Sequence, residues 1–91
     1  MSAFAWNSSK NEVLKAECRV SFEEVIEHLA AGDLLDIVEH PHQEKYRGQR
    51  ILIVRMHDDA WVVPFVEADA EIVLKTFIPS RKATRKYLRG G

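Results

Sequence analysis

One cysteine, three prolines and four glycines among 91 residues set limits before any motif is read. Cys18 has no second thiol to pair with, so an internal disulfide is excluded and a reducing cytoplasm is the expected setting. It falls on the expected first helix, where a small buried hydrophobe is the better reading than a nucleophile. No apolar run approaches the ~18 residues of a membrane span, and the first residues lack the charged-then-apolar form of a secretion signal. Neither an internal repeat nor a low-complexity linker occurs. Also missing are a phosphate-binding glycine loop, a dinucleotide fingerprint, a nucleophile elbow and a zinc-protease helix. A hydrophobic fraction of 46% and a charged fraction of 30% are those of a globular domain, here one domain over residues 1–91. A chain of this length buries ~60–65% of its unfolded surface, enough for one small core.

Acid is what the C-terminal stretch lacks. Residues 72–91 carry Lys75, Arg81, Lys82, Arg85, Lys86 and Arg89 with no Asp or Glu, whereas residues 1–44 carry nine acids against three bases. The net charge of −1 therefore hides a strong polarity from end to end. A basic segment directly after a strand is an electrostatic footprint for phosphates or for an acidic partner.

The order of elements follows from the periodicities. Ala3–Trp6 reads as a short edge strand. Asn7, Ser8 and Ser9 can each cap a helix running to about Cys18, and Ser9-Lys10-Asn11-Glu12 has capping-box form. Ser21-Phe22-Glu23-Glu24 is a clearer capping box, with Phe22, Val25, Ile26 and Leu29 on one helical face and Gly32 as the left-handed stop. Strands are expected at Leu34–Val38, Arg50–His57, Ala60–Glu67 and Glu71–Ile78, with hairpin turns at Asp58-Asp59 and Ala68–Ala70. Pro79 is expected to break the last strand, Ser80 to cap a helix through about Leu88, and Gly90-Gly91 to fray. The pattern is βααββββα, an α+β fold. Two N-terminal helices would lie on a mostly antiparallel sheet of four to five strands, with a short C-terminal helix.

Chemistry concentrates in that last helix. Arg81, Arg85 and Arg89 share a stripe at i, i+4, i+8, with Lys82 and Lys86 beside them. Guanidinium forks match phosphate oxygens bidentately, and Ser80 opens a helix N-terminus. Tyr87 offers a stacking ring or a proton, unless it packs on the sheet with Leu88. Lys75 should project with Val73 and Phe77 from an open sheet face. Glu67 could meet these bases as an ion-pair partner or a general base. His40, Pro41, His42 and Glu44 offer metal-ligating side chains without completing a tetrahedral set. His28 reads as a surface residue and His57 as a solvated turn residue.

Two stretches resemble a known family. Phe4-Ala5-Trp6-Asn7-Ser8-Ser9-Lys10 followed by Val20-Ser21-Phe22-Glu23-Glu24 is similar to the F-x-W-[DN]-x-x-K…V-S-F-E-E opening of BrnT-like toxins. Ser80-Arg81-Lys82-Ala83-Thr84 is similar to the R-K-A-T segment that follows their last strand. The resemblance spans most of the chain and implies a RelE-like fold. It also implies the toxin component of a bacterial type II toxin–antitoxin system, a metal-independent RNA endonuclease that inhibits translation and needs no cofactor. The implied partners are an RNA substrate and a cognate antitoxin from a neighbouring gene, with a higher-order complex around an antitoxin dimer, all in the cytoplasm. On this reading Arg81, Lys82, Arg85 and Lys75 stabilise the phosphate, Tyr87 or Glu67 handles protons, and Lys10, Thr84, Lys86 and Arg89 bind RNA. The alternative is a non-catalytic module of the same fold, docking nucleic acid or an acidic partner through the basic helix.

Overall fold

The computed structural model describes residues 3–89, so the expected frayed end at Gly90-Gly91 lies outside it. Helix α1 (Ser8–Cys18) is capped by Asn7, whose side chain accepts the Lys10 amide, not by Ser9. Asn7 carries the carbonyl oxygen that reaches three residues ahead, and it stands in extended backbone just before the first turn. Arg19 leaves α1 through a left-handed conformation. Helix α2 (Phe22–Ala30) starts at Ser21, whose Oγ accepts the Glu24 amide at 3.2 Å. It stops where Gly32 turns left-handed at φ +87°, returning its amide to Leu29 while Asp33 returns its own to His28. That pair of reversed bonds is the Schellman stop, and it satisfies two carbonyls that the helix leaves open.

The strands are β1 (Ala3–Ala5), β2 (Leu34–Glu39), β3 (Arg50–Met56), β4 (Asp59–Ala68), β5 (Glu71–Leu74) and β6 (Ile78–Pro79), followed by α3 (Arg81–Leu88). They form one sheet in the order β1-β5-β4-β3-β2, with β6 also paired to β4. All neighbours are antiparallel except β1 and β5. The sheet is thus mostly antiparallel, as expected, but has six strands where four to five were anticipated.

The extra strand comes from a bulge. Phe65 pairs with Leu74 and Val62 with Ile78, so two residues of β4 (Val63, Pro64) oppose three on the facing segment (Lys75, Thr76, Phe77). The expected continuous strand Glu71–Ile78 therefore breaks in two. Pro64 has no amide to donate across this gap, while its carbonyl accepts the Lys75 amide at 2.8 Å. The added residue reverses the alternation, so Leu74 and Phe77 are both buried in one cluster and Phe77 does not share a side with Val73. Phe77 stacks edge-on against Phe22 at 4.9 Å between ring centres. Pro79 lies within β6 instead of ending the strand before it, which is tolerable because β6 has only β4 beside it. The first hairpin turn shifts by a residue, while the second falls within the expected Ala68–Ala70. His57-Asp58 and Asp69-Ala70 hold the paired positive φ values of a type I′ turn, and Asp59 already pairs with Met56.

Alternation along the strands separates two apolar clusters. Leu52, Val54, Met56, Trp61, Val63, Phe65, Leu74 and Phe77 gather with Val20, Phe22 and Val25 beneath α2, and Trp6, Leu14 and half-buried Cys18 pack against them. Ile53, Ala60 and Ala83 form the second cluster with Leu35, Val38, Ile51, Val62, Tyr87 and Leu88. The basic helix α3 therefore sits on the sheet face opposite to the side chains of α2. No described helix is long and apolar enough to cross a membrane.

Candidate nucleic-acid interface

Helix α3 is fixed by its uncharged residues, which frees its charged ones. Ser80 caps it through a 3.1 Å bond from the Ala83 amide. Thr84 is 5% exposed, and its Oγ1 accepts the Ala60 amide at 2.9 Å while donating to the Ser80 carbonyl at 2.7 Å. That hydroxyl bolts α3 to the start of β4. Ala83, Tyr87 and Leu88 cover the second cluster, so the remaining arc of the helix is left to Arg81, Lys82, Arg85 and Lys86.

Arg81, Arg85 and Arg89 converge. With Thr84 and Asp59 they line an open concavity of about 290 Å³. A flanking recess adds Pro79 and Ser80 beside Arg81, and another adds Arg55, Asp58 and Leu88 beside Arg89. None of the five α3-segment cations, Arg81, Lys82, Arg85, Lys86 and Arg89, makes a salt bridge among the described residues. Like charges held together without a salt bridge favour any anion that enters, and guanidinium is suited to phosphate.

The other expected site residues lie elsewhere. Glu67 pairs with Arg50, not with the C-terminal bases. It shares the sheet face of Phe65 and Val63, opposite α3, and stands seven residues along β4 from Ala60, about 23 Å at strand rise. Lys75 and Lys10 line a separate, larger cavity of about 630 Å³ with His40 and Tyr46. Lys82 and Lys86 are exposed, and the Lys86 ammonium lies 5.2 Å from the centre of the Tyr87 ring. Tyr87 donates its hydroxyl to Asp36 at 2.6 Å. It follows Arg85 by two positions, about 160° round the helix, and so leaves from the other flank of α3. That hydrogen bond raises the Tyr87 hydroxyl above its ordinary pKa, with desolvation adding to it. The Asp36 carboxyl is lowered first by the same bond and then by the Ile37 amide.

Sequence reasoning missed three partners. Asp59, taken for a turn residue, belongs to the arginine concavity. Asp36 pairs with Ile53 in register and so faces α3, which the strand pattern alone does not reveal because a bulge lies between Leu34 and Asp36. His28 is half-buried with Nδ1 2.7 Å from Asp33 Oδ2 and Nε2 3.7 Å from Glu24 Oε2, so it is not the surface residue expected, whereas His57 is the exposed turn residue expected, with Nε2 2.5 Å from Glu24 Oε2. The spacing of Glu24 and His28 at i, i+4 was the available signal for the first of these. His40 Nδ1 accepts the His42 amide at 3.1 Å. No group of three or more His, Cys, Asp or Glu side chains placed to hold a metal occurs among the described residues.

Comparison with protein-family models, curated proteins and solved structures finds no match. Function rests on the residues themselves.

Proposed function

We propose that this protein acts on RNA through α3, as the toxin component of a type II toxin–antitoxin pair with a RelE-like, BrnT-like fold. The reading is carried by one observation: three arginines without salt-bridge partners line a single concavity beside the buried Thr84. Arg81, Arg85 and Arg89 hold the scissile phosphate. The ribose 2′-hydroxyl gives up its proton to water as that oxygen attacks phosphorus. The P–O5′ bond breaks, the leaving oxygen takes a proton from water, and the guanidinium groups stabilise the added negative charge of the transition state. No metal is required by this chemistry. An antitoxin with an acidic segment would silence the protein in the cytoplasm by covering the same stripe, in a complex built around an antitoxin dimer.

A second reading, binding without cleavage, is favoured by the positions of the other expected site residues. Glu67 is engaged by Arg50, Tyr87 by Asp36, and the Thr84 hydroxyl by Ala60 and Ser80. Arg81→Ala separates the two. For the nuclease, cleavage of single-stranded RNA falls by about 10²–10³ while RNA affinity changes little. Intact RNA after incubation with the wild-type protein, with binding still measurable, leaves only the binding module.

A further inference from the structure

The larger cavity is unused by the α3 reading. Its lining brings Asn7 and Lys10 from the start of α1, Val73, Lys75 and Thr76 from the end of β5, Pro64 from β4, and His40, Tyr46 and Gln49 from the loop between β2 and β3. These come together for structural reasons. The parallel register Phe4↔Ile72, Ala5↔Val73 carries on to set Asn7 beside Lys75. The loop is held by its own hydrogen bonds. Gln43 Nε2 donates to the carbonyls of His40 and Gln49, and Gln43 Oε1 accepts the Gly48 amide. The amides of Lys45 and Tyr46 turn back to His42.

Its chemistry is one-sided. Among the described residues no Asp or Glu lines the cavity, in a chain with 14 acids against 13 Lys and Arg. Lys10 and Lys75 are exposed and make no salt bridge among the described residues. Outside the lining, the Lys45 ammonium stands 5.3 Å from the centre of the Tyr46 ring. Beside these cations is an aromatic wall, with His40 and Tyr46 4.3 Å apart between ring centres and tilted by 32°. Since His40 Nδ1 accepts the His42 amide, the neutral ring carries its proton on Nε2, a donor. Cations for a phosphate, a tilted aromatic pair whose free ring face can take a base, and Asn7, Gln49 and Thr76 for ribose or base edges make the complement of a nucleotide. The volume, about 630 Å³, is in the range of small-ligand pockets.

We infer that this cavity binds one phosphorylated nucleotide, its phosphate between Lys10 and Lys75 and its base against the His40–Tyr46 wall. The site is independent of the α3 concavity. The nucleotide is either free or one unit of a single strand, and both share this recognition.

Backbone amide shifts of the full chain, followed by NMR during titration with adenosine 5′-monophosphate, test the assignment. The expected result is saturable shifts at Lys10, Tyr46, Gln49, Lys75 and Thr76, weakened tenfold or more in Lys75→Gln. Tyr46→Ala should weaken the nucleotide while leaving any response to inorganic phosphate in place. Arg85→Gln, which disables the other concavity, should leave the affinity for the mononucleotide unchanged. A tetranucleotide binding over tenfold more tightly than the mononucleotide assigns the cavity to a strand, and equal affinity assigns it to free nucleotide. Inorganic phosphate binding as tightly as the nucleotide, shifts confined to residues 81–89, or an affinity unaffected by Lys75→Gln in a chain with an otherwise wild-type spectrum would each overturn it.

Discussion

Asn11 shows how much a single side chain carries. It is 5% exposed, its Oδ1 accepts the Phe22 amide at 2.9 Å, and its Nδ2 donates to Glu23 Oε1 at 2.7 Å. The bond from Asn11 is the first cause holding the Glu23 carboxyl below its ordinary pKa. In the sequence Asn11 reads as the interior of a capping box, because the position gives no hint of a partner eleven residues on. Asn11→Ala strands a buried amide at the first residue of α2, and we expect a loss of about 1–3 kcal/mol in urea unfolding. An unchanged midpoint would mean that the Phe22 amide finds water. Tyr87 and Asp36, separated by 51 positions, form a second tie that sequence could not pair. The lowered Asp36 contributes stability present above its unfolded pKa and lost as pH falls through the folded value. The raised Tyr87 contributes stability present below its unfolded pKa, near 10, and lost as pH rises through the folded value. The stability gap between wild type and Tyr87→Phe should therefore be widest between about pH 5 and 9 and narrow at both extremes. A gap of constant size from pH 3 to 11 would show that the bond does not form in solution.

Elements were legible where a local rule governs them. Ser21 and Gly32 bracket α2 by chemistry written within a dozen residues, and the structure starts and stops the helix with those two residues. The final strand was not legible, since Glu71 to Ile78 keeps an extended composition across a bulge that only Pro64 on the neighbouring strand explains. The second hairpin turn was located within Ala68–Ala70, but its type was not legible. Asp69-Ala70 adopts a type I′ turn with φ of 50° and 65°, although alanine has no local preference for that conformation. Ala70→Gly should stabilise the protein by about 0.5–1 kcal/mol, raising the melting temperature by a few degrees. A lower melting temperature would mean that the glycine's unfolded-state entropy outweighs the relieved strain.

Across the whole molecule, the sheet separates what the linear charge pattern seemed to unite. The C-terminal basic segment was visible at once, and its three arginines do share a concavity. The residues expected to complete that site do not join it, because strand alternation puts Glu67 on the other face and the β1–β5 pairing takes Lys75 toward Lys10. Pro64 and Val73 nevertheless place the Lys10–Lys75 cavity on the α3 face of the sheet. One side of the molecule thus offers two cationic hollows. A single strand of nucleic acid is the extended polyanion such a face would accept.

The arginine stripe of α3 is the centre of this account, and the salt dependence of single-stranded RNA binding tests it most directly. Each phosphate contact contributes about 0.7 to the slope of log affinity against log salt concentration for a single strand. Arg85→Gln should reduce the slope by about that amount and weaken binding at low salt, while leaving the fold intact by circular dichroism. A slope and an affinity identical to wild type would contradict the assignment of α3 as the phosphate-binding surface.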